Sequence, residues 1–150
     1  MQMGLMPVAI LMQRRVLQHR WVSESWSVAA VIPNTMGVSR QQLLHGTADS
    51  QVFLMPGIDL SLYPDENDGY FENWIAPQPK VFVSWHMQSQ QAVPVAATVS
   101  YGEGTRMLDC GDPADGVAMA TEIHAWLGAY LQKHYQPAPS RKTWRDRTKT

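Results

Sequence analysis

The chain has 150 residues, of which 45% are hydrophobic and 17% charged, with a formal net charge of −1. That is the size of one ordinary domain, able to bury ~70% of the surface its unfolded chain exposes, and the near-neutral balance argues against a general nucleic-acid or membrane electrostatic footprint. Cys110 is the single cysteine, so neither an intramolecular disulfide nor a thiolate metal cluster can form within one chain, which fits a reducing compartment. The expected organisation is a β-rich domain over 1–139 followed by a basic tail over 140–150, which has little to bury and is expected to fray.

The opening MQMGLMPVAILMQRR lacks a positive segment before its apolar run and a small-residue cleavage site after it. The run is also shorter than the ~20 residues a membrane helix needs. It reads as a buried first strand, with Val8, Ile10 and Met12 alternating against Ala9 and Leu11, and the expected location is cytoplasmic. Trp26, Val28, Ala30 and Ile32 share one face of a second strand, which Pro33 ends. A polar connection runs from Asn34 to Ser50, with a short helical turn expected around Ser39 to Leu44. Val52 to Met55 then leads to Pro56 and Gly57. Beyond them Ile58, Leu60 and Leu62 alternate with Asp59 and Ser61, the mark of a sheet with one wet face.

The segment YPDENDGYF places an Asp-Gly turn before Tyr70 to Ile75, which reads as a hairpin. Val81, Val83, Trp85 and Met87 form one face of a further strand, and Val93, Val95, Ala97, Val99 and Tyr101 one face of the last. Pro94 demands an edge position or a bulge there. One amphipathic helix is expected from about Glu122 to Tyr135, with Thr121 as N-cap. Its stripe is Ile123, Trp126, Leu127, Tyr130, Leu131 and His134. The expected fold is therefore mainly β, of α+β class: about seven antiparallel strands in a barrel or sandwich, closed by one C-terminal helix.

Several patterns that look like chemistry fail on spacing. GlyGluGly at 102–104 would need another glycine where Met107 stands, and a helix following at once, to bind a dinucleotide. Placing Gly69 sixth in a calcium loop puts Pro64 first and Ile75 twelfth, where carboxylates are required. MLDCGDPADG gathers Asp109, Cys110, Asp112 and Asp115 without a nearby histidine, and reads as an Asx-rich turn. The histidines show no HxxxH or HExxH spacing. No catalytic set, metal site or cofactor site follows from these residues, so a non-enzymatic protein is expected.

Two basic clusters remain. Arg14, Arg15, His19 and Arg20 lie between two expected strands beside Trp21 and Trp26, a set suited to an anion or an acidic partner surface through charge-assisted hydrogen bonds and stacking. The alternative is a solvated hairpin whose tryptophans belong to the core. Arg141, Lys142, Trp144, Arg145 and Arg147 form a candidate docking tail or a merely solubilising end.

The order RR, RW, W with AVIP, LYPDE with GY, PKVFV, TVS, a DxGD loop and IxxWxxxYxxxHYxP before a basic terminus resembles a small proteobacterial family of unknown function. Its genes usually lie beside those of molybdenum-dependent formate dehydrogenase. The resemblance implies a setting in assembly, cofactor delivery or regulation of that enzyme, with a formate dehydrogenase subunit or maturation factor as partner, and it hands over no catalytic residue. The expected function is that of an accessory protein acting by protein–protein binding. The alternative is a module for an anionic small molecule such as a molybdopterin nucleotide. A nucleotidyltransferase role does not fit, because the chain offers neither a glycine-rich phosphate loop nor a parallel α/β sheet. The strand count and inward-turned helix Trp also resemble pleckstrin-homology-like domains, at the level of fold alone.

Overall fold

A computed structural model describes residues 1–18 and 20–136. Seven antiparallel strands form two sheets that do not close into a barrel. The first sheet contains β1 (Gly4–Val16), β2 (Glu24–Pro33), β3 (Gln42–Gly46) and β4 (Ser50–Leu62) in the order β2-β1-β4-β3. The second contains β5 (Lys80–Gln88), β6 (Gln91–Thr98) and β7 (Ala114–Ala118) in the order β6-β5-β7. The helices are α1 (Asn67–Trp74), α2 (Tyr101–Asp109) and α3 (Thr121–His134), with a 3-10 turn at Pro64–Glu66 leading into α1.

The core follows the period-2 pattern except in β2, where Val31 and not Ile32 is buried, because the β1–β2 register shifts between Leu11 and Met12 and turns the strand over beyond Val28. Val8, Ile10, Met12, Val31, Leu60 and Leu62 come from the first sheet and Val81 and Val83 from the second, and Ile123 and Leu127 of α3 pack against them. Asp115 Oδ2 accepts from the Val28 amide at 2.9 Å, which ties β7 to β2 across the two sheets. Pro94 meets both of its sequence constraints. It lies on the edge strand β6, opposite Trp85, where the β5–β6 register shifts.

Four segments differ from the sequence reading. Tyr70 to Ile75 is not a strand but the body and C-cap of α1, so the Asp-Gly pair is helical and no hairpin forms there. Pro64 opens the 3-10 turn with Asp65 and Glu66 beside it, and acids at such a start are favoured by the backbone dipole. The strand expected to reach Tyr101 stops at Thr98, where Ser100 caps α2 by accepting from the Glu103 amide at 3.2 Å. GlyGluGly therefore lies inside the first turn of a helix and not in a loop that precedes one. Gly104 has a packing role in it, since a Cβ there would collide with the Phe82 ring. The turn expected near Ser39–Leu44 is instead the exposed edge strand β3, and the acidic Cys110 loop leads into the short strand β7. The C-terminal helix lies where its stripe predicts. Its N-cap is Ala120 rather than Thr121, Trp126 is half-buried, and His134 is exposed in the last turn.

Candidate functional site

β1 and β2 pair with Arg14 opposite Trp26, Arg15 opposite Ser25 and Val16 opposite Glu24, and Leu17 closes the tip by donating to the Ser23 carbonyl at 2.9 Å. Strand alternation sends Arg14 and Arg15 to opposite faces. Arg14 Nε donates to Glu24 Oε2 at 2.6 Å and Arg14 Nη1 to Gln51 Oε1 at 3.2 Å, so this guanidinium braces β1 against both neighbouring strands. Glu24 Oε1 also accepts from Trp26 Nε1 at 3.2 Å. The Arg14 hydrogen bond, then that of Trp26, holds the Glu24 carboxyl below its ordinary value. Trp26 stacks on Phe53 at 5.7 Å, which makes it part of the packed sheet.

The remaining members of the sequence-derived cluster lie further out. Arg15 and Arg20 are exposed. The Arg20 guanidinium lies 5.6 Å from the Trp21 ring centroid, and Trp21 is 82% exposed. Val16, Leu17 and Val22 are exposed beside them. The structure thus splits the cluster: Arg14 and Trp26 are a strut at the base, Arg15 is exposed on β1 just below the tip, and Arg20 and Trp21 belong to an outward tip of mixed basic and apolar character. His19 lies outside the described residues, as do Arg141, Lys142, Trp144, Arg145 and Arg147.

A second feature was not foreseen, because α1 reads as a strand in the sequence. A groove of about 430 Å³ opens between α1 and α3, lined by Phe71, Trp74, Ala125, Gly128, Leu131, Gln132 and Tyr135. Trp74 Nε1 donates to the His124 carbonyl at 3.0 Å. His124 Nε2 lies 3.0 Å from the Trp74 carbonyl, an acceptor that requires the protonated ring nitrogen there, and the two rings stack at 4.9 Å. Gly128 permits this approach, since a Cβ would stand 2.9 Å from Trp74 Nε1. At the other end Phe71 and Tyr135 have ring centroids 5.0 Å apart, and Tyr135 Oη donates to Asp68 Oδ1 at 2.7 Å. That hydrogen bond, with burial and the charges of Asp68 and Glu72, raises the Tyr135 phenol above its ordinary value. The sequence signal for this groove is the 3.6-residue spacing of Tyr70, Asn73 and Trp74 behind a proline-led acidic turn.

The GlyGluGly helix start is already occupied by carboxylates. Ser100 Oγ donates to Glu66 Oε2 at 2.8 Å, Thr98 Oγ1 donates to Glu103 Oε1 at 3.2 Å, and Arg106 pairs with Glu66 at 3.3 Å. A phosphate would meet like charge there. Among the described residues no three His, Cys, Asp or Glu side chains group so as to hold a metal ion, and no helix is long and apolar enough to cross a membrane.

Fold and surface together define an α+β protein of two antiparallel sheets with a projecting basic–apolar hairpin tip and a helix-walled groove. The chain belongs to the family described as protein of unknown function, DUF3305, whose pattern matches residues 7–144. No curated protein and no solved structure matches it.

Proposed function

We propose that this protein is a non-enzymatic accessory factor that acts by binding another protein through the β1–β2 hairpin tip. The observation that carries the reading is the outward set of Trp21, Val22, Leu17, Arg15 and Arg20. Aromatic and arginine side chains on a projecting surface are the composition of interface hot spots. Arg14, the cation that a small anion would need to converge with Arg15, is instead committed to Glu24 and Gln51 behind the tip. This division favours an acidic–apolar protein surface over a pocketed anion such as a molybdopterin nucleotide.

The client we propose is a subunit or maturation factor of a molybdenum-dependent formate dehydrogenase. Support for that client comes from the ordered sequence resemblance, while the hairpin tip supports protein binding as such. Affinity purification of the tagged chain from its host during growth on formate tests both. A formate dehydrogenase subunit should be retained by the intact chain and lost when Arg15, Arg20 and Trp21 are replaced together by Ala. Failure to retain any such subunit overturns the client, and equal retention by the triple variant overturns the site.

A further inference from the structure

We propose that the groove between α1 and α3 is the seat of this chain's own C-terminal segment, with the Trp144 indole in the apolar groove and the flanking cations along its acidic rim. This goes beyond the partner-binding reading and does not depend on it.

Three observations converge on that occupant. The first is position. Tyr135 forms one end of the groove, and the described chain leaves α3 there and ends at Gln136. From Gln136 the chain to Trp144 extends up to about 26 Å. The α3 wall from Ala125 to Tyr135 is about 15 Å long, so the segment can turn back and reach any part of it.

The second is charge. Asp68 and Glu72 stand on the α1 rim next to Tyr135, and both are exposed. From Asp49 to Glu72 the chain has no Lys or Arg, whereas Arg141, Lys142, Arg145, Arg147 and Lys149 face only Asp146 in the tail. Opposite charges this close in sequence to a shared mouth attract, and the attraction weakens with salt.

The third is side-chain chemistry. The groove is lined by the apolar side chains of Phe71, Trp74 and Leu131, which suits a flat aromatic ring. The tail has one such residue, Trp144, and the family match runs to that position.

Fluorine NMR of the full chain labelled with 5-fluorotryptophan tests this, since the chain has six Trp residues. The Trp144 signal is assigned by its loss in Trp144→Ala. It should lie away from its position in a synthetic 137–150 peptide, and Ala125→Arg or Glu72→Lys should return it to that position. Both substitutions are at exposed residues, and an unmoved signal from the buried Trp85 confirms that the fold is intact. A wild-type Trp144 signal already at the free-peptide position overturns the proposal. So does a displaced signal that ignores both groove variants, which would seat the tail elsewhere. A displacement that disappears on dilution overturns the intrachain assignment and points to the tail of a second copy.

Discussion

The β1–β2 hairpin tip and the α1–α3 junction both gather tryptophan beside charged groups, and they differ in where the polar partners stand. At the hairpin, Arg14, Glu24, Trp26 and Gln51 bond to one another behind the tip, leaving Arg20 and Trp21 outward with Arg15 exposed on the strand below. At the junction the polar groups fasten two helices together. Tyr130 Oη donates to Asn67 Oδ1 at 2.6 Å, Asn67 Nδ2 to the His134 carbonyl at 3.2 Å, and Trp74 and His124 exchange contacts through their backbone carbonyls. Trp21 at the tip is 82% exposed, whereas the aromatic surface inside the bonded junction belongs to the fold.

Breaking the α1 side should have the largest effect. Asn73 is buried, and its amide donates to the Lys80 and Val99 carbonyls at 2.7 Å each while accepting from the Lys80 amide at 2.9 Å. Asn73→Ala leaves those backbone groups unpaired and should cost about 3 kcal/mol in urea unfolding.

Alkaline pH gives a second, smaller handle on the same region. Tyr70 is fully buried, donates to the Ser61 carbonyl and accepts from the Tyr63 amide, and burial pushes its phenol up to about 12. Because the folded state holds this proton more tightly than the unfolded chain, the contribution is complete below the ordinary tyrosine value of about 10 and is lost as pH rises toward 12. Thermal melts across that window should fall, and Tyr70→Phe should flatten part of the slope.

On the hairpin side the effects should shrink. Arg14→Ala removes an ion pair whose two side chains are each more than a quarter exposed, so the loss should be about 0.5–1 kcal/mol. Acid should reproduce part of it as the Glu24 carboxyl protonates, since the stabilisation of a depressed carboxylate is present above its unfolded value and lost as pH falls through the folded one.

The elements that read correctly are those in which burial and periodicity agree. β1 buries Val8, Ile10 and Met12, β4 Leu60 and Leu62, and β5 Val81, Val83 and Trp85 at the expected spacing of two, and α3 shows its 3.6-residue stripe in Ile123, Leu127, Tyr130 and Leu131; the register shift in β2 moves its buried residues to Val28 and Val31. α1 reads as a strand because Asp-Gly imitates a hairpin turn, although Tyr70 and Phe71, Glu72 and Asn73, Trp74 and Ile75 fall in apolar and polar pairs, which is not a strand alternation. α2 carried a Ser-x-x-Glu capping pattern at Ser100 and Glu103 that the alternation of Val99 and Tyr101 obscured. β3 gave no signal since every one of its residues is exposed. The basic cluster was legible as composition only. That Arg14 would be taken by Glu24, 10 positions on across the hairpin, and by Gln51, 37 positions on across β4, depends on strand registers that local pattern does not reveal.

On the proposed reading the hairpin tip serves a partner surface. The most direct test replaces Arg15, Arg20 and Trp21 together by Ala, then measures urea stability and retention of a formate dehydrogenase subunit on the same preparation. The expected result is a stability within about 0.5 kcal/mol per site of the parent, as for exposed positions, together with loss of the retained subunit. Unfolding of the triple variant, or undiminished retention by a folded one, would contradict it.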